Sequence, residues 1–149
     1  MNRHLTVLIV EDLPDDVLLL RKAMARSGIT NPIQVVEDGR EAIAYLQGEG
    51  KYANRMQYPF PSVIFTDLKM PRVSGFEVLE WLRQHPDCSV IPVIILTASR
   101  QDEDVKRAYL MGANAYLVKP TSLADLESMV KTAYDFWAWC EKPHVSGNC

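Results

Sequence analysis

Five short apolar runs, each followed by a segment of helical period, constrain this chain more than any other feature. The first run, Leu5–Val10, is dense in β-branched residues, as suits a strand buried on both faces. Pro14 then stands where a first helical turn tolerates it, and Val17, Leu18, Leu20, Ala23 and Met24 predict an apolar helical stripe closed by Ser27-Gly28. The unit repeats as strand Ile33–Glu37, a turn at Asp38-Gly39 and a helix from Arg40 to Gln47 with Ala42, Ile43 and Leu46 inward. It recurs as Ser62–Thr66 with Phe76–Gln84, Ile91–Leu96 with Asp104–Met111, and Asn114–Val118 with a long helix from Leu123 to about Cys140. Strands alternating with helices at this spacing predict an α/β fold, a doubly wound five-stranded parallel sheet covered on both faces by five helices.

The 149 residues suffice for one domain with a sizeable core, and 48% apolar with 23% charged residues is ordinary globular composition. A net charge of −3 suggests neither a nucleic-acid nor a membrane-surface binder. No apolar run approaches the roughly 18 residues that span a bilayer, and Met1–His4 lacks signal-peptide anatomy, so a cytoplasmic setting is expected. Cys88, Cys140 and Cys149 are odd in number and form no C-x-x-C pair, which predicts reduced thiols and neither a disulfide framework nor a zinc site. His4, His85 and His144 lack ligand spacing and are read as surface residues.

In doubly wound folds ligands bind beyond the carboxyl ends of the strands, where the strand order reverses. The first predicted strand ends in Glu11-Asp12, the third in Asp67, the fourth in Thr97 and the fifth in Lys119-Pro120. Singly, each has a plain reading: acids welcomed at a helix N-terminus, a loop cap, an N-cap, a solvated lysine. Together at one rim they describe a reaction centre. Crowded carboxylates repel one another, and a hard divalent cation such as Mg²⁺ resolves the conflict with oxygen ligands. Asp67 can then serve as ligand and as the nucleophile of an aspartyl-phosphate, while Lys119 and Thr97 meet the transferring phosphoryl oxygens.

The stretches V-L-I-V-E-D (7–12), D-L-K-M-P-R-V-S-G (67–75), L-T-A-S (96–99) and Y-L-V-K-P (116–120) resemble those of response-regulator receiver domains, from about Leu5 to Cys140. The resemblance implies a flavodoxin-like fold of the CheY-like kind, with strand order 2-1-3-4-5. It implies Mg²⁺ held by Glu11, Asp12, Asp67 and the Lys69 backbone carbonyl, with Asp67 the phosphoacceptor and Lys119 the phosphate-binding lysine. Thr97 and Tyr116 resemble the switch pair, Ala98 leaves the site open to the donor, and the Lys119–Pro120 bond is expected to be cis. Lys69 and Ser99 are placed near the path of attacking water, so Lys69 is expected to influence the phosphoryl lifetime.

The implied function is phosphorelay signalling, with a histidine kinase as donor and a histidine phosphotransfer protein as a further possible partner. The protein would end covalently modified rather than turn over substrate. The long connection Gln47–Pro61 and the Phe136-Trp137-Ala138-Trp139 ending resemble the phytochrome-associated single-domain regulators, which pair with light-sensing kinases.

Leu126, Val130, Ala133 and Trp137 form one stripe of the last helix, and Met129, Ala133, Phe136 and Cys140 an adjacent one. The second stripe predicts a homodimer through this helix and the fourth-helix region. Residues 1–140 are read as the receiver domain and 141–149 as a polar tail too short to fold, so output is expected to run through another protein, through onward phosphotransfer or through dimer state. Rival readings are a phosphorylation-independent receiver-like module and a haloacid-dehalogenase-type phosphatase. The latter needs a second aspartate two positions after the nucleophile, where this chain has Lys69. No G-x-x-x-x-G-K-[ST] or G-x-G-x-x-G supports nucleotide or dinucleotide binding.

Overall fold

The computed structural model describes residues 6–30, 32–143 and 149. Strands β1 (Val7–Val10), β2 (Ile33–Val36), β3 (Val63–Thr66), β4 (Val93–Thr97) and β5 (Ala115–Val118) alternate with helices α1 (Pro14–Arg26), α2 (Gly39–Gln47), α3 (Gly75–Arg83), α4 (Asp102–Leu110) and α5 (Leu123–Trp139). All pairings are parallel and the order is β2-β1-β3-β4-β5, as expected from the family resemblance. Leu5, His4 and His144 lie outside the described residues.

Alternation along the strands divides the core in two. Leu8, Val10, Ile64 and Ile95 face α2 and α3, joined by Ala42, Tyr45, Leu46, Val78 and Leu79. Val7, Ile9, Phe65, Ile94 and Leu96 face α1 and α5, joined by Leu20, Ala23, Met24, Leu126 and Val130. Every residue of β1, β3 and β4 is buried, because each has a strand on either side and helices above and below. The edges β2 and β5 are only partly covered. No described helix is long and apolar enough to cross a membrane.

Caps set most of the helix starts, each contributing about 1 kcal/mol. Asp38 accepts from the Glu41 amide at 2.9 Å, Ser74 from Glu77 at 3.3 Å and Ser122 from Asp125 at 3.1 Å. Helix α1 lacks a side-chain cap from its own Leu13; instead Glu11 accepts from the Leu13 amide at 3.2 Å.

Three expectations are corrected. Leu18 stands outside the α1 stripe at 65% exposure, with Leu13 and Leu19 exposed beside it, because the buried arc of α1 runs through Leu20, Ala23 and Met24. Of the α2 residues read as inward, Ala42 and Leu46 are fully buried but Ile43 is only half-buried, its place taken by Tyr45, which is fully buried. Cys88 and Cys149 form a disulfide with Cα atoms 5.7 Å apart, so the expectation of reduced thiols fails for this pair. The disulfide places Cys149 beside the α3–β4 connection across 61 positions that no local spacing signals, and the Cys149 amide donates to the Leu46 carbonyl of α2.

The α2–β3 connection packs on itself. A 3-10 turn at Gly50–Ala53 presents Tyr52 to Tyr45 and Tyr58, with ring centroids 5.1 Å apart for both Tyr45–Tyr52 and Tyr52–Tyr58. The Tyr45 hydroxyl donates to the Pro59 carbonyl and that of Tyr52 to Glu41, each at 2.6 Å. Burial pushes the Tyr45 hydroxyl up to about 12, and burial together with the Glu41 carboxylate raises Tyr52 further.

Candidate functional site

At the carboxyl ends of β1, β3, β4 and β5 the polypeptide leaves the sheet and gathers polar side chains at one rim. Asp67 follows β3 and is only 7% exposed. Its Oδ1 accepts from the Leu68 amide at 2.7 Å and from the Lys69 amide at 3.4 Å. The β3–α3 loop that holds it is tightly built. Gly75 donates to the Leu68 carbonyl at 2.9 Å, and a Cβ there would collide with the Asp67 carbonyl oxygen. Arg72 takes a left-handed φ of 66° and ion-pairs with Asp38 at 2.7 Å, in a geometry short of a hydrogen bond for that carboxylate oxygen.

Lys119, at the end of β5, reaches across the rim. Its ammonium lies 2.6 Å from Glu11, 2.7 Å from Asp16 and 3.0 Å from Asp67. Burial alone would lower its pKa, but the three carboxylates outweigh that and raise it, keeping the ammonium charged. Glu11 is 2% exposed, and burial pushes its carboxyl up to about 7 against the opposing pull of Lys119. The Lys119–Pro120 bond, expected cis, is trans. Trans is the ordinary preference by about 0.5–1 kcal/mol, and in this geometry the lysine meets all three carboxylates.

Glu11, Asp12 and Asp67 each offer an oxygen within 4.8 Å of the others. Asp12 Oδ1 is buried without a hydrogen-bond partner. A hard-oxygen donor set with one unsatisfied carboxylate atom fits a divalent cation. Asp16 was not anticipated from the sequence; its only signal was an acid in the first turn of α1.

Thr97 is buried at the end of β4, and its carbonyl accepts from the Lys119 amide at 2.8 Å. A cleft of about 540 Å³ opens over this rim, lined by Leu13, Asp16, Asp67, Lys69, Thr97, Ala98, Ser99 and Lys119, among others. The side chains of Lys69, whose backbone carbonyl is the predicted ligand, and of Tyr116, the predicted switch aromatic, lie apart from the carboxylates around Lys119. The Lys69 side chain, 62% exposed, turns to Asp104 of α4 at 3.4 Å. Tyr116 packs against the α2–α3 core, donates its hydroxyl to the Ser99 carbonyl at 3.0 Å and donates its amide to the Tyr109 hydroxyl oxygen at 3.1 Å. The Ser99 hydroxyl donates to Asp104 and, with Lys69 beyond it, holds that carboxyl below the usual range.

This fold with this rim defines a receiver. The response regulator receiver domain family matches residues 7–131, and the chain belongs to it. Among characterised proteins it is 38% identical to response regulator Rcp1 of Synechocystis sp., over 91% of this chain and 90% of that one. Among solved structures, the phosphorylated cyanobacterial phytochrome response regulator RcpA superposes with a TM-score of 0.86 at 34% identity, covering 95% of this chain and 99% of the other. The Mn²⁺-bound form of Rcp1 superposes with a TM-score of 0.83 at 36% identity, covering 94% and 99%. Receivers of this family serve phosphorelay signalling, and a divalent metal in the acidic pocket suits both the metal-bound relative and the donor set of this chain.

Proposed function

We propose that Asp67 is the phosphoacceptor of a phosphorelay whose donor is the phosphohistidine of a sensor histidine kinase. The observation that carries this reading is Lys119 bridging Glu11, Asp16 and Asp67 beside the unsatisfied Asp12 oxygen. A carboxylate oxygen of Asp67 attacks phosphorus, the bond to the donor nitrogen breaks, and its electron pair returns to the imidazole. Lys119 is within reach of the incoming oxygens, and the Thr97 hydroxyl offers a further hydrogen bond. Glu11, Asp12, Asp67 and the Lys69 carbonyl would hold Mg²⁺, which when bound neutralises charge on the transferring group. The protein ends covalently modified and is not a turnover enzyme.

Modification biases Thr97 and Tyr116 toward the active arrangement, a population shift that needs only about a few kcal/mol of differential interaction. The relatives' association with phytochromes and nearly full mutual coverage support a light-sensing kinase as donor, in the cytoplasm, with onward transfer to a histidine phosphotransfer protein as one output. A homodimer is the other. Phe136 and Trp139 of α5 and Tyr109 and Leu110 of α4 are 60%, 62%, 48% and 67% exposed, and Phe136 also lines a largely apolar groove between β5 and α5. Monomeric sedimentation at micromolar concentration, with and without phosphorylation, would refute the dimer.

The decisive experiment is incubation with acetyl phosphate and Mg²⁺, read by intact mass. One adduct of about 80 Da is expected on the wild type, dependent on Mg²⁺ and lost in Asp67→Asn. An adduct that survives in the variant places the acceptor elsewhere.

A further inference from the structure

Asp104 belongs to none of the strand ends, yet it gathers two residues that line the phosphoryl cleft. It lies in the first turn of α4 with a side chain 13% exposed. From the β3–α3 loop comes the Lys69 ammonium, 3.4 Å from Asp104 Oδ2; from the β4–α4 loop comes the Ser99 hydroxyl, donating to the same oxygen. Lys69 and Ser99 stand on the two loops that bound the cleft over Asp67. Ser99 is in turn a junction. Its amide points to Thr97 Oγ1 at 3.5 Å, its hydroxyl also accepts from the Gln101 amide at 3.4 Å, and its carbonyl holds the Tyr116 hydroxyl at 3.0 Å.

We propose that Asp104 is a positioning residue that straps Lys69 and Ser99 across the mouth of the cleft and thereby limits the access of water to phosphorylated Asp67. The proposal rests on the reading of Asp67 as phosphoacceptor and deepens it. In the step concerned, water attacks phosphorus and the bond from phosphorus to the Asp67 oxygen breaks. The electron pair returns to the carboxylate, inorganic phosphate leaves, and the water proton goes to solvent. Asp104 touches none of the reacting atoms; it sets where its two neighbours stand. The ion pair is partly exposed, so its effect is modest and screened by salt.

The test is the decay of the Asp67 adduct by intact mass after removal of acetyl phosphate, with Mg²⁺ kept constant. Wild type is compared with Asp104→Ala, Asp104→Asn, Lys69→Met and the Lys69→Met/Asp104→Ala double variant. Lys69→Met and Asp104→Asn, which break only the ion pair, are expected to lose the phosphoryl group about threefold faster, and Asp104→Ala, which also frees Ser99, faster still. Asp104→Asn retains an acceptor for the Ser99 hydroxyl, so it isolates the ion pair. The double variant should decay at the rate of Asp104→Ala, since that substitution already frees Lys69. Raising salt from about 0.05 to about 0.5 M should hasten wild-type decay and leave Asp104→Ala unchanged, a response that a merely structural role would not give. An unchanged or slower decay in Asp104→Ala overturns the strap, as does a double-variant rate equal to the product of the two single effects. Absence of the adduct from wild type overturns the phosphoacceptor reading and the strap with it, whereas a normal adduct with normal decay in Asp104→Ala overturns the strap alone.

Discussion

At the rim of the sheet, Glu11, Asp16 and Asp67 share one ammonium, and the residues that meet come from positions as far apart as 108 in sequence. Where the connection between α2 and β3 folds over α2, Tyr45, Tyr52 and Tyr58 meet in tilted and edge-to-face contacts, and the hydroxyl partners of Tyr45 and Tyr52, Pro59 and Glu41, lie 14 and 11 residues away. The rim concentrates like charge and leaves Asp12 Oδ1 unsatisfied; the connection buries rings and pairs the hydroxyls of Tyr45 and Tyr52. A buried polar atom without a partner costs free energy, so it persists where something outside the chain can meet it. The contrast separates a region shaped to receive a charged group from one shaped to be finished by itself.

The comparison breaks most sharply at Lys119. Lys119→Met should slow formation of the Asp67 adduct about 100-fold or more, measured by timed intact mass with acetyl phosphate. Phosphorylation at the wild-type rate would mean that the ammonium only balances charge. Within the tyrosine cluster the loss should appear in stability instead. Tyr45 is fully buried, so Tyr45→Ala should cost about 3–5 kcal/mol in denaturant unfolding while the adduct still forms below the transition. Loss of both together would show that the two regions are coupled.

The smallest effect sharpens the contrast through pH. Tyr45→Phe removes one hydroxyl and leaves the Pro59 carbonyl without that partner, at a cost of about 1 kcal/mol. The Tyr45 pKa rises from its ordinary 10.0 to about 12 in the fold, so the neutral form is favoured there. Its contribution is therefore complete below pH 10.0 and is lost as pH rises toward about 12. Urea midpoints across that window should fall for wild type and less steeply for Tyr45→Phe; equal slopes would remove Tyr45 as the cause.

Much of the site was legible because it sits where strands end. An apolar run that stops at Glu11-Asp12, at Asp67 or at Lys119 marks a strand's carboxyl end, and a parallel sheet sends all such ends to one rim. Asp16 was not legible, since its approach to Lys119 depends on how α1 packs against α5 and the sheet rather than on any spacing. The side chain of Lys69 was placed near water's path, but its partner Asp104 was not, because that contact crosses from the β3–α3 loop to the first turn of α4. The inward turn of Tyr45 was missed because the connection that covers it reads as a loop of glycine, proline and tyrosine.

The sequence by itself determined the alternation of elements, the burial of β1, β3 and β4, and the kind of chemistry at the strand ends, since periodicity and side-chain type are local properties of the chain. Only the tertiary structure decided which carboxylates share Lys119, that Lys69 leans to Asp104, that Lys119–Pro120 is trans and that Cys149 meets Cys88. Those outcomes depend on distances between elements remote in sequence, and such distances are set when the sheet and its helices pack.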